Sequence, residues 1–563
     1  MKMKTKKVLA LAVTLLMGAS SISAFGACGG KQIETGEDAT KANLSVRTYA
    51  GGVGLEWLEE AAARFEKMHE NSTHFQEGRT GVKIHVDGDK TNYGGSVLVE
   101  KSLKEDVYFT ESVDYYKFVN RDKVANITDI VSGENSSLAE YGESGTIEDK
   151  LDSSFKSFLT SKDGNYYMLP FYDGFYGFIY DVDLFEEEGF YKDAQGDYTR
   201  FIEDEALSVA ANETKRTEWR ATLSKGPDGV KGTYDDGLPA TYAEFLELVD
   251  VINAKCVPFV YSGKYNDYVS KACRGFIADY EGYDGFKLNY TFDGTAELVK
   301  NINADGTLET EEVQITTENG YELQRQAGKY YALKMQEDLF GSTKYLGGSW
   351  NQFDYTEAQE NFVKSKYTST RYAILLEGAW WENEAAGAFE LTETNFGEKK
   401  EDRRFAFLPM PKVNAEAAGE QTLFSANSSF GFINKECPNM ELAKEFMKFL
   451  HTDAEMSKFS AKTSISRSLN YEVSAEDKLT ATYFGKSLIE MRENSKVVYP
   501  YSSLEFVINN ADAFTESAWF MNSTANGSTH NNPFLAFKNG TATAEDYFNG
   551  LYTYQKTMWS KLN

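Results

Sequence analysis

Proline, histidine and cysteine are scarce in this chain: nine, five and four among 563 residues. So few prolines, with no glycine or serine tract, exclude a long flexible or polyproline arm beyond the start of the chain. The histidines (His69, His74, His85, His451 and His530) show no metal-ligand spacing, and there is no Cys-x-x-Cys, which removes the common zinc patterns. No Gly-x-Ser-x-Gly occurs. Gly485-Lys486-Ser487 has the tail of a phosphate loop, but Thr480 stands where the leading glycine is required. Basic charge is also short, with 58 Lys and Arg against 86 Asp and Glu and a net charge of −28. Such a surface repels phosphate backbones, so nucleic acid is excluded as a partner, and the acidity otherwise reads as solubility.

Apolar content is adequate, at 41% hydrophobic and 14% aromatic residues. That is too apolar for disorder and too long for one core, so two or more lobes are expected. The N-terminus has the three parts of an export signal. Lys2, Lys4, Lys6 and Lys7 form the basic end, and Val8 to Met17 is apolar apart from Thr14 but too short to span a bilayer. A small-residue stretch then reaches Phe25-Gly26-Ala27-Cys28-Gly29-Gly30, which resembles a bacterial lipobox with Phe25 in place of the usual leucine. The resemblance implies a signal peptide over 1–27, Cys28 as the acylated (palmitate-bearing) first residue, a polar tether over 28–42, and a chain lipid-anchored to the outer face of the cell membrane. The alternative is an ordinary secretory signal with a cysteine there by chance. No later stretch has the length of a membrane span. With Cys28 acylated, Cys256, Cys273 and Cys437 read as buried free thiols, and Cys256 with Cys273 could bridge only if the fold brings them together.

Along the rest of the chain, strand and helix patterns alternate. Leu44 to Tyr49 reads as a strand, followed by glycines and a helix with Leu55, Leu58, Ala62 and Phe65 on one stripe. Val82, Ile84 and Val86 share one strand face, and Val107-Tyr108-Phe109 is a short apolar run. Thr241-Tyr242-Ala243-Glu244 is a capping box opening a helix. Tyr372 to Leu376 and Phe405 to Leu408 read as buried strands, and Leu442, Ala443, Phe446, Phe449 and Leu450 mark the inner stripe of another helix. The alternation predicts α/β lobes with largely parallel sheets.

The order of several short segments resembles the extracellular solute-binding proteins of the sugar-uptake class, the family of maltose-binding protein. Trp57-Leu58 and Arg64-Phe65-Glu66-Lys67 come first, then Asp106-Val107-Tyr108-Phe109, Ile127-Thr128-Asp129, Tyr167-Met168-Leu169-Pro170 and Tyr180-Asp181-Val182-Asp183-Leu184-Phe185. Pro239 to Glu244, Leu376-Glu377-Gly378-Ala379-Trp380, Leu408-Pro409 and Gly431-Phe432-Ile433 continue it. The resemblance implies an α/β, two-lobe periplasmic-binding-protein-like fold with hinge strands and a ligand cleft between the lobes. It places 43–173 and 430–497 in lobe 1, and 174–429 and 498–563 in lobe 2. Extra length falls around Tyr191 to Asp236 and Phe286 to Gly328.

By the same resemblance the chain is a monomeric, non-enzymatic receptor. It hands a mono- or oligosaccharide to the permease subunits of an ABC importer, and it touches the membrane only through its lipid. Sugars present apolar C–H faces and a rim of hydroxyls, so flat aromatics beside planar polar groups suit them. Trp380, at the family's stacking position, is the leading candidate, with Trp381 beside it. Tyr49 ends the first strand, and Thr110, Glu111 and Asp114 follow the Val107 strand. Tyr172, Asp173 and Tyr176 lie on the first crossing between lobes. Tyr261, Tyr265 and the neighbouring Tyr268 follow the Val257 strand, and Tyr501 with Glu505 matches a late loop. Asp228, Asp235 and Asp236 sit among glycines in a spacing that can offer oxygens to a structural Ca²⁺, or that simply makes a solvated turn. No other cofactor is required. Rival readings are a surface glycoside hydrolase, which also combines two carboxylates with an aromatic cleft, and a lipoprotein binding peptides or other solutes.

Overall fold

A computed structural model describes residues 37–89, 94–160, 162–347, 351–426 and 429–562. The lipobox and Cys28 lie outside the described residues. The architecture is two α/β lobes, each around its own sheet.

In the first lobe, strand β1 (Ala42–Tyr49) alternates buried and half-buried residues, turning Leu44, Val46 and Thr48 inward. It runs parallel to β2 (Val82–Asp89) on one side and β3 (Val107–Thr110) on the other. Strands β4 (Met168–Pro170) and β10 (Phe430–Ile433) complete a five-stranded sheet in the order β2-β1-β3-β10-β4, with β10 antiparallel to both neighbours. Helix Glu56–Met68 covers it with Trp57, Leu58, Ala61, Ala62 and Phe65, and Phe65 meets Phe446 and Phe449 of helix Met440–Leu450.

The second lobe is built on β5 (Tyr176–Asp181), β6 (Val257–Tyr261), β7 (Tyr372–Gly378) and β8 (Phe405–Leu408), in the order β8-β5-β7-β6. All seven residues of β7 are buried, as a central strand with helices on both faces requires. The capping box at Thr241 and Glu244 starts helix Tyr242–Asn253 as its sequence predicts. The extra length forms a short hairpin (Tyr191–Lys192 with Tyr198–Thr199), helix Val209–Arg220, and a longer hairpin (Gly294–Ile302 with Leu308–Ile315). The C-terminal helix Ala544–Trp559 packs on helix Ala327–Phe340 through the Tyr330–Phe548 ring contact at 5.6 Å. Helix Tyr483–Glu493, expected with the first lobe, sets Phe484 against Trp381 of the second at 5.7 Å.

Three segments cross between the lobes. One joins β4 to β5, and one joins β9 (Gln421–Phe424) to β10. The third follows β11 (Ser495–Val498), which pairs in parallel with β9. Backbone bonds knit the crossings together: Phe171 N donates to Ser429 O at 3.0 Å and Ala426 N to Gly174 O at 3.0 Å. Cys256, Cys273 and Cys437 are free thiols, the last two buried. No described helix is long and apolar enough to cross a membrane.

Candidate functional site

The sequence ends β1 on Tyr49 and follows β3 with Glu111 and β7 with Trp380, and the fold brings these ends together at the gap between lobes, where open α/β sheets bind ligands. Tyr49 closes β1 and Glu111 follows β3 on the first lobe, Tyr172 lies on the crossing, and Tyr176 opens β5. From the second lobe, Trp380 follows β7 and Tyr268 opens helix Asp267–Thr291. The Trp380 ring is 8% exposed and stands edge-on to Tyr176 at 5.0 Å and Tyr172 at 6.4 Å. Tyr176 meets Tyr268 edge-on at 5.7 Å, and the Lys271 ammonium lies 5.0 Å from the Tyr176 ring centre. A Cβ at Gly378 would run into the Trp380 ring, so only glycine lets the indole fold back over the strand end.

Carboxylates flank the rings. The Tyr172 hydroxyl donates to Glu111 Oε1. Burial pushes the Glu111 carboxyl up to about 7; the tyrosine bond opposes the shift, and Glu384 across the cleft adds to it. Glu384 accepts from Gln359 Nε2 at 3.0 Å and from the Gly52 N–H at 3.2 Å, a direct contact between lobes. Gly52 has φ +58°, and a Cβ there would lie 2.8 Å from Glu111 Oε1, so the turn after β1 needs glycine twice over. Glu377 is 1% exposed, and burial, then Glu384, holds its carboxyl well above the usual range. Burial, then Glu111 and Glu384, likewise raises the Tyr49 phenol. The arrangement offers edge and face surfaces of aromatic rings beside oxygens that can accept or donate hydrogen bonds.

Of the residues expected from sequence, Tyr49, Glu111, Tyr172, Tyr176 and Trp380 converge here. Tyr265 stands near them, 52% exposed and 6.2 Å from the Tyr355 ring. Others have different places. Asp173 is fully buried and ion-paired to Arg492 at 2.7 Å, with the Tyr499 hydroxyl donating at 3.0 Å, so it holds the crossing rather than the cleft. Trp381 is fully buried among Phe362, Phe389, Phe405 and Phe484. Tyr261 is core, against Phe340 and Phe534. Thr110 is buried at the end of β3, opposite Phe430. Asp114 caps helix Tyr115–Asn120 by accepting from Lys117 N at 3.1 Å. Tyr501 packs on Phe155 and Phe158, each at 4.8 Å. Glu505 is exposed and paired with Lys162 at 2.8 Å.

The aspartate loop is closed by protein donors. Asp235 accepts from Asp228 N and Thr233 Oγ1, Asp236 accepts from Gly232 N, and Asp228 accepts from Val230 N. Among the described residues no group of three or more His, Cys, Asp or Glu is placed to hold a metal.

Lys271, Gln359, Glu377 and Glu384 were missed by sequence reasoning. Glu384 alone carried a signal, four residues after Trp380 and so on the same helical face.

The family model of bacterial extracellular solute-binding proteins matches residues 52–457. A comparison with curated proteins finds no match. Among solved structures, the chain is similar to the cyclic alpha-maltosyl-1,6-maltose binding protein of Arthrobacter globiformis, at 10% identity and TM-score 0.50, covering 92% of this chain and 100% of that one. A chitin oligosaccharide binding protein aligns at 14% identity and TM-score 0.48, over 92% of this chain and 99% of its own. At its identity the first likeness speaks to the fold alone, two lobes with a cleft between them. With the matched segment spanning most of the chain, the protein belongs to the bacterial extracellular solute-binding protein family.

Proposed function

We propose that the protein is the carbohydrate-capturing component of an ABC importer, closing its two lobes on a mono- or oligosaccharide without chemical turnover. The observation that carries this reading is the Trp380–Tyr176 ring pair set between Glu111 of one lobe and Glu384 of the other. A sugar ring lays its C–H face on an indole while its hydroxyls donate to carboxylates, and closing the lobes brings both surfaces to it. The fold-level neighbour from Arthrobacter globiformis is named for a maltosyl ligand, which agrees with the reading.

On this proposal the partners are the permease subunits, met by both lobes of the closed monomer. Cys28 carries the lipid that keeps the protein at the outer face of the membrane. Loss of the membrane-bound form in Cys28→Ala cells, read by fractionation, checks the anchor. The test of function is thermal-shift screening of the chain from Gly29 onward against mono- and oligosaccharides, since a ligand that binds only the folded state raises the melting temperature. A rise with one glycan class, absent in Trp380→Ala and without product formation, is expected. No rise with any sugar refutes the carbohydrate reading, and turnover of an oligosaccharide moves it to a hydrolase.

A further inference from the structure

A groove of about 940 Å³ lies between residues 112–120 of the first lobe and the C-terminal part of the chain, residues 500–562. That volume is at the upper end of the roughly 300–1,000 Å³ typical of small-ligand sites. Its second wall is built beyond residue 457, where the family match ends.

Two pairs of chain neighbours set the groove beside the aromatic site. Glu111 belongs to the site, and the next residue, Ser112, lines the groove. Thr515 lines the groove, and the next residue, Glu516, lines the small cavity that holds Tyr176 and Lys271. Glu516 is also ion-paired with Arg274, one helical turn on from Lys271.

The walls have the composition of the site they adjoin, with Tyr116, Phe158 and Tyr554 interleaved with the amides of Asn120 and Asn522. Tyr554 and Asn522 are half-buried, and their side chains have no hydrogen-bond or ring partner among the described residues. Their backbones are nonetheless fixed, at Asn522 by the Tyr547 hydroxyl donating to Met521 O and by Ser523 Oγ donating to Tyr547 O on either side of it. Helix Ala544–Trp559 is seated by buried Tyr547, Phe548, Leu551 and Trp559, and Gln555 donates to Ala518 O at 2.7 Å. An aromatic ring and an amide held rigidly in an open groove without partners are poised for an incoming group that offers both an apolar face and hydroxyls.

We propose that this groove, set beside the Trp380–Tyr176 site, is a second subsite for further units of an extended oligosaccharide, with Tyr554 as its stacking platform. This rests on the carbohydrate reading above and adds that the preferred ligand is longer than one sugar.

The test is calorimetric titration of the protein with maltose-, cellobiose-, chitobiose- and xylobiose-type series, each from the monosaccharide upward, repeated on Tyr554→Ala and Asn522→Ala. For the bound series, affinity should rise with length. Tyr554→Ala should lose about two- to tenfold on the longer members, the worth of one stacked ring, while the shortest binder is unchanged. Asn522→Ala gives the same pattern independently should Tyr554→Ala unfold, as its melting temperature without sugar would show. Short sugars binding with no gain from length overturn the second subsite and leave the carbohydrate reading standing. So does an equal loss on short and long members in both variants. If no sugar of any length binds, both fall together.

Discussion

Removing the Asp173 side chain should destabilise the protein without any direct effect on ligand contact. Asp173 is fully buried at the point where the chain first crosses between lobes, and the Arg492 guanidinium lies against it at 2.7 Å, itself only 11% exposed. Deleting one partner of a buried pair strands the other charge, at a cost of about 3–5 kcal/mol. The Tyr499 hydroxyl would lose its acceptor as well, adding about 1 kcal/mol. Against this, Arg492 keeps its bonds to the carbonyls of Leu469 at 2.9 Å and Arg467 at 3.2 Å, so the total belongs near the lower end of the range, about 3–4 kcal/mol. Urea unfolding of ligand-free Asp173→Ala measures the loss, and a cycle with Arg492→Met isolates the pair. The double variant should recover much of the loss, because no charge is left unpaired. A loss under about 1 kcal/mol, or strictly additive effects, would refute the placement of Asp173 as a structural anion. Full stability with lost sugar affinity would instead make it a ligand contact.

The adjacent tryptophans should separate cleanly. Trp381→Ala empties a site fully enclosed by four phenylalanines and should cost about 3–5 kcal/mol in denaturant unfolding, with sugar affinity of the folded fraction kept. Trp380→Ala, whose ring reaches the cleft, should cost less stability than Trp381→Ala and abolish sugar binding by calorimetry; retained affinity would move the stacking surface elsewhere. The pH dependence follows from Glu111, whose carboxyl is held at about 7 against an ordinary 4.5 by burial, with Glu384 adding. Between those values the folded protein binds the extra proton. The Glu111 contribution to stability is therefore complete below about pH 4.5, declines as pH rises, and is lost by about pH 7. Melting temperatures across that window should fall more steeply for the wild type than for Glu111→Gln, and parallel curves would contradict the shift.

How much of this was legible in the sequence varied with the range of the interaction. The buried run Tyr372 to Leu376, the alternation in Val82, Ile84 and Val86, and the capping box at Thr241 each describe a local requirement, and each became the expected element. The Gly378–Trp380 turn was legible by a different route, through the resemblance of Leu376-Glu377-Gly378-Ala379-Trp380 to the family's glycine–tryptophan turn. The acids were not. Asp173 and Glu384 are both carboxylates near aromatic residues, and nothing local says that one meets Arg492, 319 positions away, while the other meets Gly52, 332 positions away. Tyrosines fared likewise. Tyr261 ends a strand inside the second lobe and Tyr176 begins one at the cleft, and only the packing of helices around β6 buries the first.

The partners of Glu384 bear on how the cleft can work. Its carboxylate takes a hydrogen bond from the Gly52 N–H of the opposite lobe, so the lobes touch at the site. Where a sugar hydroxyl takes the place of the Gly52 N–H on this oxygen, only the difference between the two bonds shifts the balance of open and closed forms. Ring stacking on Trp380 has no counterpart in the contact between Gly52 and Glu384, whereas a hydroxyl that takes the place of the Gly52 N–H replaces a bond already made. Affinity should accordingly come chiefly from the aromatic surface, and selectivity among sugars from which hydroxyls can take over the carboxylates without leaving the Gly52 N–H buried and unpaired. Glu384→Ala, which removes the shared acceptor and leaves the Gly52 turn intact, therefore discriminates. If the account holds, the variant keeps most of its affinity, which rests on Trp380, and loses its preference between epimeric sugars, both read by calorimetry. Sharper epimer discrimination in that variant would show that the contact opposes selectivity rather than enforcing it.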